Sequence, residues 1–169
     1  TQPGMSAYNW TVSPGGSIVS GSSSNLLTVQ WNNPGAQHVT VSYTNTFNCT
    51  AATPANYDLL VNPLPVTTIT EAPAPVCQSV PHIYEVPADP ACSFTWSVIP
   101  AANGVIASGQ GTSVVSIDWQ TSGGAVVAVT GTGTSTNCVS SSTLPVAVMP
   151  KPLPVFTPCF DLVTTPDAR

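Results

Sequence analysis

The side chains able to do covalent or acid–base chemistry are few and scattered. Cysteines stand at 49, 77, 92, 138 and 159, histidines at 38 and 82, and the only cations are Lys151 and Arg169. The seven carboxylates, Asp58, Glu71, Glu85, Asp89, Asp118, Asp161 and Asp167, are dispersed along the chain. A zinc site needs clustered ligands, and there is no Cys-x-x-Cys pair or His cluster to supply them. A calcium loop needs closely alternating acids, which are missing too. Serine and threonine are abundant, but no Gly-x-Ser-x-Gly elbow raises one as a nucleophile. A Lys–Asn crosslink needs a core lysine, whereas Lys151 sits in a proline-rich stretch. Asn9-Trp10-Thr11 and Asn48-Cys49-Thr50 match the short glycosylation sequon. No catalytic residue, metal or cofactor is expected. What remains is thiol chemistry, and five cysteines leave one unpaired or bonded between molecules.

The composition narrows the class. Of 169 residues, 5% are charged and 42% hydrophobic, with 18 prolines, 12 glycines and a net charge of −5. Two cations cannot neutralise a run of phosphates, which excludes nucleic-acid binding. There is no basic patch for an anionic membrane surface, and no apolar run approaches the ~20 residues needed to cross a bilayer. A β-rich, secreted structural or binding protein fits this profile.

The elements that would position these side chains are strands. Leu27, Val29 and Trp31 alternate with polar residues, as do Val39, Val41 and Tyr43, and Val115, Ile117 and Trp119. That period of two describes strands with one face on a core and one in water. Gly15-Gly16, Pro34-Gly35 and Gly123-Gly124 supply turns. The strands form two copies of one pattern. Tyr8-x-Trp10-x-Val12, Gly16-x-Ile18, Gly21, Leu27-x-Val29-x-Trp31, Val39-x-Val41, Cys49 and Leu59-x-Val61 recur. Their counterparts are Phe94-x-Trp96-x-Val98, Gly104-x-Ile106, Gly109, Val115-x-Ile117-x-Trp119, Val127-x-Val129, Cys138 and Val146-x-Val148. Each copy closes on Pro-Leu-Pro-Val, at 63–66 and at 152–155. A two-fold repeat of this detail marks two domains of one kind. Trp10, Trp31, Trp96 and Trp119 sit at matched positions beside Val and Ile. They are therefore expected in the cores rather than on a sugar-stacking surface.

This motif set resembles the PKD-like, immunoglobulin-like repeats of large secreted Bacteroidota surface proteins. The resemblance covers nearly the whole chain, although a Trp-Asp-Phe-Gly-Asp-Gly run of better-known PKD domains is missing. It implies an all-β fold of two tandem immunoglobulin-like β-sandwiches. It also implies a non-catalytic role at the cell surface or outside the cell, in an adhesin, a gliding-associated protein or a filament. The expected order is a first sandwich over 1–62, a Pro-rich linker over 63–68, a second sandwich over 69–149, a linker over 150–158, and the opening strand of a further repeat over 159–169. The alternative is a carbohydrate- or protein-binding module, with its glycan or protein ligand unspecified.

The two copies are unequally complete. The second carries Cys77 and Ile83-Tyr84-Glu85-Val86-Pro87 before its first Trp, whereas the first begins nine residues before Trp10. The missing opening resembles residues 159–169. Joining Arg169 of one copy to Thr1 of another places Cys159 20 residues before Trp10, against 19 between Cys77 and Trp96. Three readings follow: a subunit of a head-to-tail polymer, one period of a longer covalent array, or a stretch whose fit reflects family similarity alone. In the first, Leu162 and Val163 pack on the next copy, and Arg169 and Thr1 meet at the junction. Arg169 is the sole arginine and Lys151 precedes a proline, so an Arg-specific protease would leave these ends. The partners expected are other copies of the chain or adjacent repeats. The repeat also sorts the cysteines. Cys77–Cys138 is the expected bridge within the second domain, and Cys49 would need Cys159 of a neighbour. Cys92–Cys138 is the competing pair, because both fall in loops at one end of a sandwich.

Overall fold

The computed structural model describes residues 4–71 and 76–154. As expected from the alternation, the chain is built of strands. The first copy contributes β1 (Ser6–Val12), β2 (Gly16–Ser20), β3 (Thr28–Trp31), β4 (Gly35–Thr44) and β5 (Ala55–Val61). The second contributes β6 (Thr70–Glu71), β7 (Val76–Cys77), β8 (Pro81–Glu85), β9 (Cys92–Ile99), β10 (Gly104–Ser108), β11 (Val114–Trp119), β12 (Gly123–Gly133) and β13 (Val139–Met149). The helical geometry among the described residues is one 3-10 turn at Ala101–Asn103.

The strands form four sheets, ordered β1-β4-β5, β2-β3, β10-β11-β8-β6 and β7-β13-β12-β9. The two small sheets take the first copy and the two four-stranded sheets the second, which makes a pair of tandem β-sandwiches. Pairing is antiparallel except where β7 joins β13, with Val76 opposite Val148 and Cys77 opposite Met149. In packing terms the described residues divide into two compact units. One holds residues 4–67 with 87–94 and 130–141; the other holds 68–86 with 95–129 and 142–154.

The same turn builds both copies. Gly21 and Gly109 adopt positive φ, +84° and +89°, where a side chain would be strained. Three residues later, the Ser24 and Thr112 backbone N–H groups donate to the Gly21 and Gly109 carbonyls at 3.0 and 3.1 Å. Their hydroxyls reach Leu26 O and Val114 O at 2.7 and 2.8 Å. The turn then anchors the first Trp of each copy. Trp10 Nε1 donates to Ser24 O at 2.8 Å, and Trp96 Nε1 to Thr112 O at 2.9 Å. An indole usually finds a partner for its N–H when it is buried, and here the turn supplies one for the first Trp of each copy, whereas the buried Trp119 Nε1 has none among the described residues.

Residues 63–67, read from sequence as part of a linker, are held in place. Pro65 and Thr67 are buried while Leu64 and Val66 stay exposed. Ser140 Oγ donates to Pro65 O at 2.5 Å and lies 3.2 Å from Thr67 Oγ1. Gly131 makes the seat: a Cβ there would lie 2.9 Å from Pro65 Cβ and 3.0 Å from Thr67 Cγ2.

Candidate functional site

The repeat allows one core to be read against the other. In the second copy, Val115, Ile117 and Trp119 of β11 are each 0% exposed. Val127, Val129, Trp96, Val146 and Val148 are also buried. Their first-copy counterparts are not equally covered. Leu27, Val29, Trp31, Val39, Trp10, Leu59 and Val61 are all half-buried, and only Tyr8 and Val41 reach full burial. The residue types are matched, so what differs is what lies over them.

In the second copy the cover is β7 and β8. β11 pairs with β10 on one side and β8 on the other, with Tyr84 opposite Val115 and His82 opposite Ile117. The Tyr84 ring is 0% exposed and meets the Trp119 ring edge-on, centroids 6.3 Å apart at 80°. Val86, two residues on, is buried as well, with Glu85 between them in solvent. Among the described residues β3 pairs only with β2, and β5 only with β4. Two sheet edges are therefore open, and between them lies an apolar groove of about 550 Å³ lined by Trp10, Leu27, Val29, Trp31, Val39 and Leu59. Tyr57 stands at its rim, 71% exposed. An open edge of this kind offers unpaired N–H and C=O groups to an incoming strand.

Of the four tryptophans expected in cores, Trp96 and Trp119 are buried, while Trp10 and Trp31 line the groove. Thr1, Cys159, Leu162, Val163 and Arg169 lie outside the described residues. Sequence reasoning missed the groove itself, because Tyr57 and Leu59 look like ordinary strand residues. It also missed a buried polar pair in the first copy: Ser13 Oγ donates to Gln37 Oε1, and His38 N donates to Ser13 Oγ at 3.2 Å.

The cysteines need correction. Cys77 lies opposite Met149, at the end of β13, whereas Cys138 immediately precedes the start of that strand. Eleven residues of strand, roughly 33 Å, run between them, and a disulfide needs Cα atoms within about 7 Å. The expected Cys77–Cys138 bridge does not fit this register. By the repeat, Cys49 stands at the same far end of its strand as Cys138. Cys159 lies outside the described residues, so its expected pairing with Cys49 has no counterpart among them. The competing pair, Cys92 and Cys138, does share one end. Thr134 N donates to Ala91 O at 2.8 Å, and Gly133 N to Cys138 O at 2.9 Å. β12 lies between them, however, so two strand spacings, roughly 9.6 Å, exceed the disulfide limit. Cys92 and Cys138 are half-buried free thiols and Cys49 an exposed one.

Cys92 is nonetheless chemically distinct. Partial burial, the hydrogen bond from its Sγ to Asp89 Oδ2 at 3.3 Å, and the Asp89 charge all push its thiol above the usual value. The thiolate is the reactive form, so raising the pKa lowers reactivity at a given pH below it. Asp89→Asn is expected to speed alkylation of Cys92 by iodoacetamide at pH 8 severalfold, read by mass spectrometry of the labelled peptide. An unchanged rate would mean that burial alone protects it.

His82 Nε2 accepts the Cys77 N–H at 3.3 Å, which ties β7 to β8. Among the described residues, no three of His, Cys, Asp or Glu converge in a way that could hold a metal ion. None of their helices is long and apolar enough to cross a membrane.

Comparison with known proteins assigns the architecture. The sequence profile described as a PKD-like domain matches residues 1–59 and again 62–148. No curated protein matches the chain. Among solved structures, the chain is similar to the D00-D0 domain of intimin, at 14% identity and a TM-score of 0.40, covering 88% of this chain and 87% of that one.

Proposed function

The chain belongs to the PKD-like domain family, and from that premise we propose that it is a non-catalytic structural repeat of an extracellular filament or large cell-surface adhesin. Copies assemble head to tail, residues 155–169 of one completing the first sandwich of the next. One observation carries the reading: matched core positions are sealed in the second copy by β7 and β8 and left half-covered in the first. Covering such a face removes apolar area from water at about 25 cal/mol per Å², and the incoming backbone can pair with the open edge of β3. A head-to-tail contact does not close on itself, so it grows linearly. The scarcity of charge and of grouped acid, base or nucleophile suits a load-bearing spacer better than an enzyme.

Sedimentation velocity over a range of concentrations tests this. The full chain is expected to form oligomers whose size rises with concentration. Leu162→Asp with Val163→Asp is expected to leave monomers. A wild-type chain that stays monomeric at every concentration sinks the proposal. A second reading draws on the half-buried Trp10 and Trp31 and the exposed Tyr57, an aromatic-lined groove of the kind that stacks sugars. Shifts of the Trp10 and Trp31 indole signals with soluble oligosaccharides would favour it.

A further inference from the structure

We infer that the groove is an aromatic-anchored strand site and that Phe160 of a second copy is its anchor. This rests on the head-to-tail reading and deepens it by fixing the register. In the second sandwich the strand that seals the core presents Tyr84, Glu85 and Val86 as buried, exposed and buried. The aromatic ring covers Trp119, the aliphatic residue extends the seal, and the acid faces water. The groove of the first copy leaves the matching indole, Trp31, half-covered beside Leu27 and Val29. Its occupant must therefore read aromatic, polar, aliphatic.

Within 155–169 that order occurs at Phe160-Asp161-Leu162. Phe160 then takes the place of Tyr84 opposite Leu27, Leu162 that of Val86, and Asp161 that of exposed Glu85. Pro158 falls near the start of the donated strand, as Pro81 does in β8, where a missing N–H is tolerated. The register suggested by the cysteines alone, with Cys159 in the place of Cys77, sets Pro166 where Tyr84 should be and leaves the seat beside Trp31 unfilled. In the Phe160 register Cys159 takes the place of Ile83, which is 54% exposed. It then faces solvent as a reactive thiol.

The test uses the full chain. Phe160→Ala is expected to weaken association roughly tenfold or more, as loss of a central aromatic anchor does. It should also return the Trp31 indole signal to its monomer position, while Phe160→Tyr retains assembly and Val163→Ala stays within about twofold. In the oligomer Cys159 is expected to alkylate freely. Loss of assembly in Val163→Ala with retention in Phe160→Ala would overturn the register. So would a Cys49–Cys159 bridge in non-reducing peptide maps. If the wild-type chain does not associate at all, the head-to-tail reading falls instead. A synthetic peptide of residues 157–166 added in excess then decides the anchor: a shift of the Trp31 indole that Phe160→Ala in the peptide abolishes supports it, and no shift overturns it.

Discussion

Trp119→Ala is expected to lower the stability of the second sandwich by about 3–5 kcal/mol, and Trp31→Ala to cost the unassembled chain roughly half as much or less. The two residues hold the same place in the repeat and differ in cover. Trp119 is 0% exposed beneath β8, with the Tyr84 ring edge-on against it. Such an aromatic pair adds about 0.5–1.5 kcal/mol beyond its buried area. Truncation therefore removes the indole, strands the Tyr84 ring and opens a cavity among Val115, Ile117 and their neighbours. Trp31 already meets solvent across the groove, so its removal forfeits less burial and leaves no sealed void. Denaturant unfolding followed by the indole signals of each copy separates the two. Equal losses at the two positions in dilute solution would mean that the first core is as closed as the second. If copies associate as proposed, the cost of Trp31→Ala should climb toward that of Trp119→Ala, because an incoming strand would cover the groove face.

The strands, their alternation and the two-fold repeat were legible because a period of two is local and the Trp and Val positions recur at a nearly constant offset. Sequence similarity between copies does not say how much of each residue is covered. Burial of Trp31 depends on a strand far away in the chain, so the expectation of four buried tryptophans held for Trp96 and Trp119 and not for their partners. The cysteine pairing went astray for a related reason. The repeat shows that Cys77 opens a copy and Cys138 comes near its close, but chain order is not spatial order. The parallel pairing of β7 with the last residues of β13 sends Cys77 to the far end of that strand, and no periodicity announces a parallel pair. The groove was foreseeable only from the unequal repeat, in which the described residues of the first copy hold no counterparts of β7 and β8. Its open edges, its apolar lining and the aromatic seat beside Trp31 required the register.

Gly21 and Gly109 were visible as matched glycines, and their role makes the second large effect. Gly109→Ala is expected to destabilise the second sandwich by about 2–4 kcal/mol. Its φ of +89° disfavours any side chain, at about 1–2 kcal/mol. A Cβ there would also overlap the Val114 carbonyl oxygen, so the turn cannot keep its shape. That turn holds Trp96 on two sides. Thr112 O accepts the indole N–H at 2.9 Å. The Gln110 side chain accepts the Trp96 backbone N–H at 2.8 Å and donates to its carbonyl at 3.0 Å. Displacing it leaves a buried indole N–H unpaired, worth about 1–3 kcal/mol. Gly111 is the control, since its φ is +90° but nothing lies within 4 Å of its would-be Cβ. Gly111→Ala should therefore cost only the conformational part, about 1–2 kcal/mol. Thermal unfolding of the two variants, with hydrogen exchange of the Trp96 indole, distinguishes the contributions. Gly109→Ala should both lower the midpoint and speed that exchange, whereas Gly111→Ala should leave the exchange unchanged. Equal effects would assign the whole penalty to backbone strain and remove the turn's part in holding Trp96.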